Sequence, residues 1–454
     1  MLGVVTEPAR HVPVIRRTGV LVVGSGPGGL AAALAAARAG ADVVLIERFG
    51  CMGGNITAVG VEGFAWYRHE ATVEAGGIAA EFESRAAPMG AAVPESQSLS
   101  MELDSEGFKL VADRLVEEAG VEPMLHRFVT DVVMEGNRIT GVICESKAGR
   151  EAILARTVID ATGDADLASR AGAPVAKTPV ETMQAASVMF HLAGVDKGAF
   201  MAGVREDPQT YADWSDGEWT VETDGKEDAM FSPFLRKPFQ KAREAGLIPA
   251  DLVTLAGTWG AAHETGELTY MNVVHLAGCD GTDPDSMTRF EIAGRAQAMA
   301  AVEALRAFMP GCAGARLRNF GMTIGIRDTR KIDAAYNMTE TDVRGQGRFD
   351  DSIGIFPEFI DGYGVFVLPT TGRYMQIPFR SVIPQNVEGL LVAGRAIGGD
   401  RIAHAATRNM ACCVVTGQGA GIAAAMAASG NREPGRVDQS QLRRMLEAQG
   451  VRCH

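Results

Sequence analysis

The sequence has little that would support a metal centre, a disulfide framework or a membrane anchor. Only seven of its 454 residues are cysteine, and no two of them are spaced as Cys-x-x-Cys. We therefore expect no iron–sulfur cluster, no structural zinc and no other bound metal, and we expect a reducing compartment. No apolar run is expected to span a bilayer, and the N-terminal residues lack the pattern of a secretory signal. These absences predict a cytoplasmic location.

Positive charge is also scarce. Lys and Arg number 43 against 56 Asp and Glu, which gives a net charge of -13 at pH 7. Nucleic-acid phosphates and anionic lipid surfaces repel such a chain, so neither is expected as a partner. The hydrophobic share of 46% is ordinary for a globular protein, and the length predicts two domains. The sequence leaves open whether the chain forms a homo-oligomer.

The stretch 19–49 carries the strongest functional pattern. An apolar run ends in GSGPGG at 24–29, an alanine-rich helix follows, and a second apolar run ends at Glu47. In this arrangement Gly24 makes a tight turn, Gly26 admits a pyrophosphate and Gly29 lets helix and strand pack closely. The helix N-terminus attracts phosphate, and an acid ~20 residues on binds a ribose hydroxyl. The alternative is a βαβ unit that binds no ligand.

Other segments predict how the chain is organised. A second glycine loop, CMGGNIT at 51–57, would extend along a long dinucleotide or be an ordinary surface turn. A helix is predicted over 104–119, with strands at 124–134, 138–144 and 151–156. A buried strand at 389–394 and a small-residue helix at about 408–428 return the chain to the first sheet. Residues 171–365 lack a βαβ rhythm, and the tail from 431 is polar.

Several separated motifs together resemble the FAD-dependent oxidoreductases of the glutathione-reductase-like superfamily. Within it, the likeness is to the family that includes heterodisulfide-reductase flavin subunits. The motifs are GSGPGG with Glu47, CMGGNIT, IDATGDADLA at 159–168, and LLVAGRAIGG at 390–399 with TRNMACCVVTGQGAGIAAA at 407–425. The likeness covers most of the chain and is weakest between about 195 and 265.

The resemblance implies an α/β fold with a discontinuous, Rossmann-like FAD-binding domain that carries a β-meander. That domain would comprise 1–170 and 366–430, with an inserted α+β substrate or cap domain at 171–365 and a tail at 431–454. The cofactor would be FAD. Whether it is attached covalently is left open, although non-covalent binding is expected.

The resemblance also assigns cofactor contacts to residues of this sequence. Those at the pyrophosphate and ribose would be Gly24, Ser25, Gly26, Pro27, Gly28, Gly29 and Glu47. Those along the cofactor and over its adenosine half would be Arg48, Gly53, Gly54, Asn55, Val129, Ala161, Thr162, Gly163 and Asp164. Those at the ribityl chain and the pyrimidine edge of the flavin would be Gly394, Asp400, Asn409 and Met410.

Candidate catalytic residues are His404, Arg327 and Tyr270. His404 precedes the helix that should face the flavin, where an imidazole with a pKa near neutrality would act as a base. It is equally well read as a structural histidine. Arg327 and Arg330 would clamp a carboxylate, or would form structural pairs with Asp328 and Asp333. Further candidates are Asn272, His263, His275 and the aromatic stretch at 66–69.

The function predicted from these residues is hydride transfer between a small organic substrate and FAD. One alternative is reduction of an activated carbon–carbon double bond. Another is a flavin-carrying electron-transfer subunit of a larger complex. Cys51 precedes the second glycine pair without the nearby second cysteine that a disulfide reductase needs, so it is read as a packing residue. The electron acceptor would be oxygen, a nicotinamide or a protein.

Overall fold

The computed structural model describes residues 3–64, 74–94, 100–209, 219–222, 234–368 and 372–454. The aromatic stretch at 66–69 lies outside these ranges. The strands are β1 Val14–Val23, β2 Val43–Ile46, β3 Ala92–Pro94, β4 Met101–Leu103, β5 Glu122–Met124, β6 Phe128–Glu135, β7 Arg138–Ser146, β8 Gly149–Asp160, β9 Val175–Lys177, β10 Ala186–Ser187, β11 Phe190–Ala193, β12 Thr220–Glu222, β13 Phe234–Leu235, β14 Gly257–Thr258, β15 Glu267–Met271, β16 His275–Leu276, β17 Arg316–Phe320, β18 Arg330–Ile332, β19 Ser352–Pro357, β20 Ile360–Gly362, β21 Val365–Val367, β22 Tyr374–Pro378 and β23 Leu390–Val392. The helices are α1 Pro27–Arg38, α2 Gly77–Ala86, α3 Ser105–Ala119, α4 Asp166–Arg170, α5 Lys197–Glu206, α6 Lys237–Glu244, α7 Pro284–Phe308, α8 Glu340–Arg344, α9 Arg401–Thr407, α10 Met410–Gly430 and α11 Gln439–Ala448.

The first sheet has the order β5-β2-β1-β8-β7-β6, and its strands β5, β2, β1 and β8 run parallel. The mixed α/β fold with a Rossmann-like core is therefore as predicted. The antiparallel β6, β7 and the first half of β8 form the meander. The second half of β8 pairs with β23, so the chain returns to this sheet after the middle region.

Two strand predictions were wrong in detail. The segment predicted as one strand over 124–134 is interrupted, because His126 adopts a left-handed φ of 58° between β5 and β6. The strand predicted to end at Arg156 continues unbroken to Asp160 as the 12-residue β8. The sequence also yielded no prediction of the short helix α9, Arg401–Thr407, which lies between β23 and α10.

Helices α1 and α10 pack against each other through glycine. A Cβ atom at Gly417 would lie 2.0 Å from the carbonyl oxygen of Gly28, and one at Gly421 would lie 2.2 Å from that of Ala32. Backbone therefore touches backbone along two turns of both helices. In the described part of the chain, α10 is also the one helix long and apolar enough to cross a membrane, contrary to the sequence expectation. Its burial in this core accounts for its apolar composition.

The middle region has its own core. Strand β11 lies between β15 and β17 in an antiparallel sheet, and the long helix α7 covers this part of the fold. Its buried side chains include Phe190, Phe200 and Phe239. Residues from Met338 onward pack instead in the first core, upstream of the predicted boundary at 366, and so does Leu446 of the tail. The domain boundaries themselves stay a prediction.

Replacing Gly417 by Val should destabilise the protein strongly. The new side chain would enter space held by the Gly28 carbonyl, so α10 would have to move away from α1. Overpacking of this kind costs about 1–3 kcal/mol or more. Thermal unfolding of the purified variant checks this. Gly430→Val, at the end of the same helix, is the control, because its Cβ would meet only the Arg432 side chain at 3.5 Å. Equal melting temperatures for the two variants would contradict the prediction.

Candidate functional site

Three glycines shape the turn after β1, and each has a different structural role. Gly24 has a φ of 94°, and a Cβ at Gly29 would lie 1.9 Å from the Gly24 carbonyl oxygen. These two positions exclude side chains for reasons of packing. A Cβ at Gly26 would meet nothing within 4 Å. The space at Gly26 therefore faces the N-terminus of α1, where no side chain caps the first N–H groups. That combination suits a phosphate group.

The second glycine loop lies directly against the first. The Gly53 amide donates a hydrogen bond of 2.9 Å to the Ser25 carbonyl, and a Cβ at Gly54 would come within 2.5 Å of the Gly26 Cα. Asn55 then opens a π-helical turn over Asn55–Val59 that is mostly buried. The loop thus extends the glycine turn along the C-terminal edge of the parallel strands rather than standing apart on the surface.

Glu47 is buried and fixes the same turn. Its Oε2 accepts hydrogen bonds from the Ser25 amide at 2.9 Å and from Ser25 Oγ at 2.7 Å. Next to it, Arg48 is exposed and its guanidinium lies 4.7 Å from the Phe49 ring centroid. The segment 126–127 hydrogen-bonds along 47–49, which leads into β6 and places Val129 near this end of the sheet.

The turn after β8 is tied to the loop after β23. Buried Asp160 accepts hydrogen bonds from Thr162 and from the amides of Leu167 and Ala168, which shapes the turn around Gly163. Ala161 packs against Gly24 and Gly29. Arg395 forms a 2.6 Å ion pair with the Asp164 carboxylate, and its guanidinium lies next to Gly163.

The C-terminal segment completes the candidate cofactor cradle, by which we mean the two glycine turns, the turn after β8, the loop after β23 and the start of α10. A Cβ at Gly28 would lie 3.0 Å from the Gly394 Cα, while one at Gly394 would meet nothing within 4 Å. Asn409 precedes α10, and its side chain donates back to the Ala405 and Ala406 carbonyls. No side chain therefore caps the first turn of α10, which begins at Met410.

Asp400 is differently placed. It is exposed, and its carboxylate caps α9 through the Ala403 amide at 2.8 Å and binds the Glu340 amide at 2.7 Å. Both oxygens therefore serve the local structure, and the predicted approach to a ribityl chain stays a prediction.

The structure brings together most of the catalytic candidates. Arg327 donates to the Ala185 carbonyl and, at 3.2 Å, to Asn272 Oδ1. The Arg327 carbonyl in turn lies 3.0 Å from His404 Nε2. Arg330 is a structural residue that pairs with Asp166. His263 lies apart, in the turn before β15, where its backbone pairs with Glu267.

Tyr270 precedes Asn272 by two residues, at the end of β15. Its backbone has a φ of 50°, which is strained for an aromatic residue. Its ring covers Gly63, where a Cβ would come within 2.9 Å of it. His275 is hydrogen-bonded to the Ala256 carbonyl at 2.8 Å, and burial together with Arg327 lowers its pKa to about 4.

His404 does not have the pKa that the sequence prediction required. It lies within α9 and is only 2% exposed. Burial, reinforced by the charge of Lys331, lowers its pKa to about 3 although Asp328 opposes this. The imidazole is therefore neutral at physiological pH and is a poor base.

Other polar groups at this place were missed by sequence reasoning. Arg408 pairs with Asp361 at 2.8 Å, and Arg395 pairs with Asp164. Both arginines lie inside quoted motifs, so their position beside the glycine loops was the available signal. Gln184 gave no signal, because only the fold places it beside Asp361. Burial raises the pKa of the Cys51 thiol, which agrees with its reading as a packing residue.

A family profile described as FAD dependent oxidoreductase matches residues 19–446. The chain belongs to the FAD-dependent oxidoreductase family. FAD is therefore the cofactor, and the residues present fit it: the open spaces at Gly26 and Gly394, the uncapped starts of α1 and α10, and buried Glu47. Which of them touch FAD stays a prediction.

Two curated relatives come from Methanopyrus kandleri. Digeranylgeranylglycerophospholipid reductase 1 is 34% identical to this chain over 154 residues. Digeranylgeranylglycerophospholipid reductase 2 is 31% identical over 186 residues. The alignments cover 32% and 39% of this chain, and 39% and 45% of those proteins. The match therefore spans less than half the length of either relative.

Solved structures match along nearly the whole chain. A geranylgeranyl bacteriochlorophyll reductase-like protein from Thermoplasma acidophilum is 14% identical with a TM-score of 0.45, covering 97% of this chain and 85% of that one. The myxobacterial chondrochloren halogenase CndH is 12% identical with a TM-score of 0.46, covering 95% and 78%.

Substitution at Gly26 should separate cofactor binding from folding. A Cβ atom there would meet no described atom within 4 Å, so Gly26→Val should fold but fill the space expected for the pyrophosphate. We expect FAD content after purification to fall at least tenfold, with an intermediate value for Gly26→Ala. Absorbance and unfolding of the apoprotein measure the two effects. Gly198→Val on exposed α5 is the control. Full FAD content in Gly26→Val would show that the cofactor lies elsewhere.

Acid should destabilise the protein through His404. The folded state holds its imidazole neutral down to a pKa of about 3, whereas the unfolded chain protonates near 6.5. Stability present above pH 6.5 is therefore lost as the pH falls toward 3, by about 1.4 kcal/mol per pH unit. His404→Gln should flatten the pH dependence of the unfolding free energy between pH 7 and 5, measured in urea. Exposed His11→Gln serves as control, and a parallel curve for His404→Gln would refute the assignment.

Proposed function

We propose that this protein transfers a hydride between a small organic anion and FAD. FAD supplies the two-electron chemistry when bound, and the protein positions the substrate and handles its proton. The observation that supports this most directly is the state of Arg327. Its guanidinium lies at the junction of the middle region with α9, yet its hydrogen-bond partners are neutral.

The positive charge of Arg327 has no ion-pair partner of its own among the described residues. Within the described ranges, no carboxylate lies within 4 Å of the Arg327 guanidinium, whereas Arg408 already pairs with Asp361. Burial and the charge of Arg408 lower the pKa of Arg327 to about 10, so it stays protonated at neutral pH. A desolvated cation without a counter-ion is costly. A carboxylate or similar anion of the substrate would neutralise it, with the bidentate geometry that arginine favours.

Neighbouring groups would orient such a substrate. Three buried polar atoms here have no hydrogen-bond partner within the described structure: Arg408 Nε, Gln184 Oε1 and His404 Nδ1. Donation from His404 Nε2 to the Arg327 carbonyl leaves Nδ1 as an acceptor. We therefore propose that His404 accepts a hydrogen bond from the substrate and positions Arg327, in place of the base predicted from sequence. Tyr270 would close the same space from the side of Gly63.

The direction of transfer is supported by the relatives. Both curated relatives are named reductases, so we propose reduction of the substrate as the favoured direction. Reduction of an activated carbon–carbon double bond is the variant of the function that corresponds to this direction. Kinship with the glutathione-reductase-like superfamily and with heterodisulfide-reductase flavin subunits is proposed from motif likeness. An electron-transfer subunit is the competing function. We also propose that the enzyme is cytoplasmic and acts on a small molecule. Neither a nucleic acid nor a membrane is proposed as a partner.

Anaerobic screening tests the proposed function. The oxidised protein is mixed with small carboxylic acids and with their neutral amides, and the reduced protein with unsaturated acids and their amides. Bleaching or recovery of the flavin absorbance by acids, with amides inactive, is the expected result. No response to any small molecule, with copurification of cluster-bearing proteins, would instead favour the electron-transfer subunit.

Arg327→Met should weaken binding of the acidic substrate found in this screen. Losing one partner of a desolvated charged pair costs about 2 kcal/mol or more, which is about 30-fold in dissociation constant. Arg327→Lys should recover only part of the loss, because it lacks the planar fork. Spectral titration of the flavin measures the constants. Arg306→Met, whose side chain pairs with Glu303 on exposed α7, is the control. Unchanged affinity in Arg327→Met would exclude the anion site.

A further inference from the structure

A second buried polar pair, Glu62 and His191, lies outside the groups used so far. Both residues are 2% exposed. Glu62 Oε1 accepts a 2.9 Å hydrogen bond from the Ser105 amide and lies 3.9 Å from His191 Nε2. Neither ring nitrogen of His191 has a hydrogen-bond partner in the described parts of the chain. A buried imidazole with two unpaired nitrogens indicates that something polar is missing beside it.

The pair lies between the cofactor loops and the middle sheet. Glu62 follows the π-helical turn that begins beside Gly54, and Gly54 touches Gly26. His191 is on β11, and a Cβ at Gly60 would lie 3.5 Å from its Nε2. The two side chains therefore meet where the two cores join.

Tyr270 connects this pair with the Arg327 site. Its ring covers Gly63, the residue after Glu62. Two residues further along the chain, Asn272 holds the Arg327 guanidinium. Tyr270 therefore neighbours both the Glu62–His191 pair and the Arg327 site. A substrate anchored by its anionic end at Arg327 would extend past Tyr270 toward Glu62.

The pair also has the protonation states that a proton donor requires. Burial raises the pKa of Glu62 to about 7, and Asp104 adds to the effect while the Ser105 amide opposes it. Burial lowers the pKa of His191 to about 4, helped by Arg318. The charged groups that oppose the shift of His191 are Asp104, Glu106 and Glu267. Near neutral pH the Glu62 carboxyl group is therefore close to its pKa and can both hold and release a proton, whereas the imidazole is neutral.

We propose that Glu62, positioned by His191, holds the proton that accompanies hydride transfer. This rests on the proposed function. In reduction, the hydride brings both electrons to one substrate carbon, and the O–H bond of Glu62 breaks to protonate the adjacent carbon, which leaves a carboxylate. In oxidation, that carboxylate takes the O–H or N–H proton of the substrate as its C–H bond gives up the hydride. Buried His404, with its pKa near 3, is poorly suited to this step.

The first test needs no substrate. Because the folded state favours protonated Glu62, this residue contributes stability below about pH 4.5 that is lost as the pH rises to about 7. Glu62→Gln is close in shape to the protonated acid and should remove this slope from the melting temperature of the FAD-loaded protein. Glu106→Gln, an exposed carboxylate on α3, is the control. A slope unchanged in Glu62→Gln would overturn the proposal.

The second test is the flavin half-reaction with the substrate from the screen. Glu62→Gln should slow it by roughly 10²–10⁴-fold with a substrate dissociation constant within about threefold of the parent, whereas Arg327→Met should change mainly that constant. Glu62→Asp should restore part of the rate. His191→Gln should shift the pH midpoint. If the parent reacts with a substrate and Glu62→Gln reacts equally fast, the proton role fails while the proposed function survives. If the parent reacts with no small molecule, both fail.

Discussion

The backbone contact between α1 and α10 is the constraint on which the cofactor site depends. Gly417 and Gly421 let α10 approach the carbonyls of Gly28 and Ala32. At the same end, Gly28 meets Gly394, and Gly26 meets Gly54. The two glycine turns, the loop after β23 and the uncapped start of α10 are therefore held together by atoms that tolerate no side chain. A Cβ atom at Gly26 or at Gly394 would itself meet nothing within 4 Å, so these two positions border the space left for the dinucleotide.

The polar groups of the middle region differ from the cofactor site in how they are built. The cofactor cradle is made mainly of backbone, whereas the proposed substrate side is made of buried side chains with incomplete partners. Among the described residues, no carboxylate lies within 4 Å of the Arg327 guanidinium and neither ring nitrogen of His191 has a hydrogen-bond partner, while burial raises the pKa of Glu62 to about 7. Unsatisfied groups of this kind reduce stability, so their concentration at one junction supports a functional origin. The strained φ of Tyr270, between the two clusters, is in keeping with this.

The sequence predicted the cofactor half well because its signals are local. A strand, a glycine turn, a helix and an acid at fixed spacing leave few alternatives, and the return of β23 followed from one buried run. The substrate half depends on long-range packing. His404 looked like a base from its place in a motif, but its pKa depends on the core around it. Glu62 stands in an unremarkable segment, VGVEGF, and its meeting with His191, 129 positions later, is created only by the fold.

The return of the chain to its first sheet has a consequence during synthesis. More than 370 residues separate the end of α1 at Arg38 from the start of α10 at Met410. At ribosomal rates of ~5–20 residues per second, α1 waits roughly 20–75 s for its partner. Its alanine-rich surface, buried along most of its length in the finished protein, has no α10 to cover it during that time. The nascent chain must therefore shield this helix by transient contacts or by chaperones, and FAD can bind its full cradle only after α10 has left the ribosome.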